Sequence, residues 1–357
     1  MEQSAARSRI RLTLSPQAEK YARRDAPLGV RKMAARGALP LEPVELATVL
    51  FALAHDPDAE VKDTARRSLD ALPPNVLTTV VTGPANPALL SYLAHVHCEN
   101  ELVCQSLALN QATDDTTIAY LAGLPLRAVV EIISNNQERM LRHDAIVDAL
   151  GQNPLTGRSV IERILKFLGV STEASVEDSY DDEDLSEESA EKALLAMLGD
   201  ESADVARILA SEADVEDEEV QGNLFAAIQN MTVMQKIKLA RVGGKEARGL
   251  LIKDRNKIVA TSVLASPKIT ETEVVAMAQS RSVSDEILRQ ISHNKEWTRS
   301  YAVKHALTTN PKTPQPQAIK FLNYLQDRDL KSLMKSKDVP SVISTHARRI
   351  LTKKGKI

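Results

Sequence analysis

The strongest constraint on this chain is a short pattern that recurs at a nearly fixed interval between Leu251 and Leu351. Three copies align: Leu251-Ile-Lys253-Asp254-Arg255, Ile291-Ser-His293-Asn294-Lys295 and Leu333-Met-Lys335-Ser336-Lys337. In each, an apolar residue is followed three places later by Asp, Asn or Ser, and these polar residues lie 40 and 42 positions apart. Asp254, Asn294 and Ser336 share a short side-chain oxygen able to accept from the free N–H groups that open a helix. Each copy therefore predicts a helix start. A second series, Val263-Leu-Ala-Ser266-Pro267 and Leu307-Thr-Thr-Asn310-Pro311, lies between the copies and repeats after 44 residues, with Pro where a helix tolerates it. Two helix starts in roughly 42 residues predict one helical hairpin per unit.

The same step runs through the first half as Leu53-Ala-His55-Asp56-Pro57-Asp58, Leu107-Ala-Leu-Asn110, Ile133-Ser-Asn-Asn136 and Leu150-Gly-Gln-Asn153, with 43 residues from Asn110 to Asn153. Val44 to Ala54 reads as a helix, and Val61, Ala65, Leu69 and Leu72 mark one face of the next. Its tail Ala65-Arg66-Arg67-Ser68-Leu69 echoes Ala347-Arg348-Arg349-Ile350-Leu351 at the far end. Ser15-Pro16 opens a further helix, Thr270 to Glu273 form a capping box, and Gly243-Gly244 predicts a left-handed helix-ending turn. The nine polar residues Asp56, Asn110, Asn136, Asn153, Asp254, Ser266, Asn294, Asn310 and Ser336 define the expected repeat. The fold class is all-α: an α-solenoid of helical hairpins with a period of about 40–44 residues.

The segment Leu53 to Leu72 resembles a HEAT repeat, and Leu307 to Ala318, with Asn310-Pro311-Lys312-Thr313-Pro314, resembles the leucine-rich-repeat variant, an all-helical bacterial module. The C-terminal third, with Met231 to Ala240, Leu251 to Lys257 and Asp329 to Pro340, is similar to uncharacterised bacterial helical-repeat proteins. The resemblance implies a fold and carries over no activity and no functional residue.

Composition agrees with stacked helices: 43% of residues are apolar and only 3% aromatic. The net charge of -3 hides an uneven distribution, -1 over residues 1–170, -17 over 171–235 and +15 over 236–357. Ser171 to Glu191 holds ten acidic residues without apolar periodicity, a composition too poor in apolar surface to offset its ordering entropy. The expected organisation is a disordered start (1–15), a helical-repeat half (16–168), a flexible acidic linker (169–190), a second helical-repeat half (191–352) and a basic tail (353–357). No apolar run approaches the 18 or so residues needed to span a bilayer, and Met1 to Arg11 is polar and basic, so the expectation is a soluble cytoplasmic protein without membrane insertion. Cys98 and Cys104 cannot supply a disulfide framework for a chain of 357 residues, which suits a reducing compartment.

Nothing reads as a catalyst. His95, His97, Cys98 and Cys104 lack the second close pair that zinc sites use. Arg241-Val-Gly243-Gly244-Lys245-Glu246 departs from the phosphate-loop motif at Leu239 and Glu246. No paired carboxylates, activated nucleophile or cofactor fingerprint is present, so no catalytic residue, cofactor, metal or small-molecule substrate is expected. The basic columns carry more. Equivalent positions in a stacked array line up, so Lys253, His293 and Lys335 with Arg255, Lys295 and Lys337 predict a cationic stripe, and Trp297, Tyr301 and His305 at i, i+4 and i+8 predict one helix face beside it. The expected function is a scaffold or adaptor that binds a protein partner. The alternative is a nucleic-acid binder using the stripe, which the acidic linker could cover as a tethered competitor.

Overall fold

The computed structural model describes residues 12–170, 186–199, 203–213, 217–336 and 338–356. All regular structure among them is helical, in 24 α-helices and a 3-10 turn, and the chain divides into two compact units, Met1–Val160 and Ile161–Ile357. Residues 171–185, most of the acidic segment, and Lys337 lie outside the described residues. The last part of that segment is helical: Ser186 caps a helix Glu187–Leu198 through Ser189 N–H.

In the first unit most helices start on a side-chain cap or a proline. Ser15 caps Pro16–Ala22, Asp58 caps Ala59–Asp70, Asn100 caps Glu101–Leu109 and Asp114 caps Asp115–Gly123. Pro43–Leu53 packs against Ala59–Asp70 and also against Pro74–Thr82, which packs on Glu101–Leu109, which packs on Arg127–Ser134. Each helix so placed meets a neighbour beyond its immediate successor. The faces turned inward carry small and branched side chains such as Val49, Leu53, Val61 and Ala65, each fully buried Val or Leu contributing about 1.5–3 kcal/mol.

The second unit packs the same way. Val233–Val242 lies against Lys257–Leu264, Glu271–Gln279 against Tyr301–Thr309, and Gln315–Leu322 against Ser341–Lys353. The last helix closes a core of Leu322, Leu330, Leu333, Ile343, Ala347 and Leu351. Ala65 and Leu69, and their far-end counterparts Ala347 and Leu351, are all fully buried, so the echoed sequences present the same faces.

Most of the nine polar residues of the recurring sequence pattern are not helix starts. Asn136 is a true cap, accepting from Arg139 N–H. Asn110, Asn153, Asn294, Asn310 and Ser336 instead terminate the preceding helix, while Asp56, Asp254 and Ser266 stand in the turn just after one. What seven of them share is a turn: the side-chain oxygen accepts from the N–H two residues on, as in Asp56 with Asp58, Asn110 with Ala112, Asn153 with Leu155 and Asp254 with Asn256. Asn294, Asn310 and Ser336 do likewise with Glu296, Lys312 and Asp338. A short oxygen acceptor serves such a turn as well as a cap. The cap itself, Asp58, Asp114, Asn256 or Thr270, follows two to four residues later.

Three of these asparagines also staple one helix to another. The Asn110 amide donates to Val81 and Gly83 carbonyls at 2.7 and 2.9 Å, Asn153 to Ala122 and Leu124 at 2.7 and 2.7 Å, and Asn310 to Ala278 and Ser280 at 2.8 and 3.0 Å. The acceptors close the helices Pro74–Thr82, Asp115–Gly123 and Glu271–Gln279, whose last carbonyls have no partner within the helix. Each staple thus holds the C-terminal ends of two packed helices level.

Gly243 and Gly244 have φ of -67° and -79°, so no left-handed turn forms there. They are needed for approach: a Cβ on Gly244 would lie 1.7 Å from the Ser211 carbonyl oxygen, and Gly244 N–H donates to the Leu209 carbonyl at 2.7 Å.

Candidate partner-binding surface

Lys253, Arg255, His293, Lys295 and Lys335 are exposed, and each sits where a helix gives way to a turn. His293 and Lys335 end the helices Asp285–His293 and Asp327–Lys335, whereas Lys253 lies two residues beyond Lys245–Leu251. The apolar residues heading the three copies, Leu251, Ile291 and Leu333, are all buried, so burial of the leading residue puts the basic side chains outside. Of the carboxylates near them in sequence, Asp254 pairs with Lys236 at 3.0 Å, Asp327 with Lys354 at 2.9 Å and Asp338 with Arg281 at 3.3 Å, while Glu296 stands exposed next to Lys295. The Lys354 ammonium holds the Asp327 carboxyl below the usual carboxylate range.

Lys253 and Lys245 border a cavity of about 300 Å³ between Lys245–Leu251 and Glu271–Gln279, floored by Ile252, Ala276, Met277 and Val283. Gly249 lines it with open space where a side chain would stand. Glu246 and Glu273 line it too, so the apolar floor lies inside a rim of mixed charge, an arrangement that accepts one anchoring side chain.

The aromatic group is arranged differently from the i, i+4, i+8 expectation. Trp297 belongs to a separate 3-10 turn, Trp297–Arg299, and Asn294 accepts from its N–H. Ser300 intervenes before the helix Tyr301–Thr309, so Trp297 is not on the helix face of Tyr301 and His305. Those two rings do stack, 6.4 Å apart. The Tyr301 hydroxyl donates to Asp329 and accepts from Gln326 N–H. Burial and that hydrogen bond raise the Tyr301 hydroxyl above the ordinary phenol value, and the same bond holds Asp329 below the ordinary carboxylate value. Tyr324 is 58% exposed, with the Lys304 ammonium 5.0 Å over its ring. Sequence reasoning missed Asp329, Tyr324 and Met277. One signal was available: Tyr301 and Asp329 are 28 residues apart, close to the spacing of the asparagine staples.

Two members of the histidine and cysteine group of the first unit, His95 and Cys104, are engaged locally. His95 stacks on Tyr120 at 4.0 Å and shares a hydrogen bond with the Ser91 carbonyl. The Cys104 thiol donates to the His97 carbonyl at 3.5 Å, and burial pushes it up to about 11, the opposite of what an activated thiolate requires.

Among the described residues no helix is long and apolar enough to cross a membrane. No protein-family model matches the sequence, and neither a curated protein nor a solved structure matches it.

Proposed function

We propose that this chain is a non-enzymatic helical-repeat scaffold of HEAT-like hairpins whose second unit holds an acidic segment of a protein partner. The observation that carries this reading is the set of exposed cations Lys253, Arg255, Lys295 and Lys335, three of whose neighbouring carboxylates, Asp254, Asp327 and Asp338, pair with other cations. Exposed charge of one sign steers an opposite partner and sets specificity, and the floor of the cavity beside Lys253 supplies an apolar contact. Affinity capture from lysate with the full chain, compared with a Lys253→Glu/Lys295→Glu/Lys335→Glu variant, tests it. The expected result is one protein partner retained by the wild type and lost by the variant; equal capture by both would overturn the reading.

A second reading, nucleic-acid binding, is favoured by the exposed Tyr324 ring beneath Lys304, since bases stack on such rings without sequence preference. It predicts steep salt dependence for the full chain on single-stranded nucleic acid, with the logarithmic slope falling by about one for each phosphate contact removed. Absence of binding at low salt ends it.

A further inference from the structure

The first unit contains a second surface, again with basic residues beside an apolar floor. A groove of about 700 Å³ runs beside the helices Pro43–Leu53, Ala59–Asp70 and Pro74–Thr82, floored by Leu46, Leu50, Leu72 and Val76 and bordered by Arg36 and Arg67. Its origin is local. Gly37, at φ +74°, turns the chain sharply after the helix Leu28–Ala35 and leaves Arg36 exposed at the helix end. On Ala59–Asp70, Ala65 and Leu69 face the core, so the helical period turns Thr64, Arg67 and Ser68 toward the groove.

No acidic side chain lines this groove. Of the acids in the neighbouring segments, Asp25 pairs with Arg23, Asp56 with Arg31 and Glu60 with Lys32. Arg67 donates only to its own helix, to the Asp63 carbonyl at 3.3 Å and Thr64 Oγ1 at 3.4 Å, which positions the guanidinium while leaving other N–H groups unused. Two unpaired guanidiniums over an apolar floor, with the hydroxyls of Thr64 and Ser68 between, complement carboxylates attached to an apolar group. The groove is open along its length. A small lipid anion needs most of its surface enclosed, whereas a peptide can lie along an open channel and bury one side chain.

We propose that this groove binds an acidic peptide segment of a partner, seating one apolar side chain on Leu46, Leu50 and Val76 and pairing its carboxylates with Arg36 and Arg67. The site is separate from the cationic surface of the second unit and does not rest on it. The test is fluorescence anisotropy on the full chain with a labelled peptide of Asp and Glu around a single leucine. Arg36→Glu/Arg67→Glu is expected to weaken binding by about tenfold or more. Ala71→Trp, which fills the groove without changing charge, is expected to weaken it comparably. Both groove variants are made in a Lys253→Glu/Lys295→Glu/Lys335→Glu background, so that the cations of the second unit do not contribute to the signal, and an Asn/Gln version of the peptide does not bind. If the glutamate pair lowers the melting temperature, Arg36→Gln/Arg67→Gln replaces it. Binding unaffected by both groove variants, or saturable binding of dodecanoate with none of the peptide, would overturn the proposal.

Discussion

Each unit buries an arginine, and the two are satisfied in opposite ways. Arg139, 7% exposed, donates mainly to backbone: the carbonyls of Thr113, Asn110 and Gln111 at 2.6, 3.0 and 3.2 Å, with Asp115 at 3.1 Å. Arg248, fully buried, donates to two carboxylates, Glu273 at 2.8 and 3.2 Å and Glu212 at 3.0 and 2.7 Å, with the Gly243 carbonyl at 2.8 Å. The first draws on carbonyls of the turn that follows Glu101–Leu109, a place where the helix dipole favours a cation. The second requires true counter-ions, because a buried charge without a compensating partner costs several kcal/mol. One lock is built into chain geometry; the other depends on protonation.

The largest effect that can sharpen this contrast is Arg248→Met. It strands Glu273, which is itself buried, and is expected to cost about 3–5 kcal/mol in chemical denaturation of the full chain. Adding Glu273→Leu should restore much of that loss, and failure to do so would break the counter-ion account. Arg139→Met comes next, at about 1–3 kcal/mol, since its carbonyl acceptors lose a donor but strand no buried carboxylate; a loss equal to that of Arg248→Met would erase the distinction. The smallest effect is on pH. Burial alone pushes the Glu273 carboxyl up, but hydrogen bonds from Arg248 and Thr270 outweigh it and hold Glu273 below its ordinary value of 4.5. A depressed carboxyl stabilises the fold above its unfolded value and loses that contribution as pH falls through the folded value. The wild type should therefore lose stability below pH 4.5. Asp115, held down first by its hydrogen bond from Arg142, joins in below 3.8. Denaturation midpoints followed from neutral pH to 3.5 should show the first of these slopes missing in Arg248→Met/Glu273→Leu.

Much of this was readable beforehand. The capping box at Thr270 and Glu273 forms as its spacing predicts, Ser15 and Asn136 cap as expected, and the recurring apolar positions are the buried ones. The misreadings have a common cause. A short oxygen acceptor looks the same in sequence whether it closes a turn at a helix end or opens the next helix two to four residues later, so Asn110, Asn153 and Asn310 announced an interruption without saying which side of it they serve. Lys245, Arg248, Lys253, Arg255 and Lys257 follow one another closely, and nothing local marks Arg248 as the basic side chain that is fully buried. Gly244 was legible as a break, but its reason, the Ser211 backbone pressed against it, lies 33 positions earlier.

Helical content, the rhythm of interruptions and the uneven charge are consequences of residues near one another along the chain, because caps, turns and amphipathic faces act over a few positions. The asparagine staples, the ion triad around Arg248, the socket beside Lys253 and the groove between Arg36 and Arg67 came only with packing. Each joins groups on different helices, and which carbonyl, carboxylate or cavity a side chain meets is set by how those helices stack.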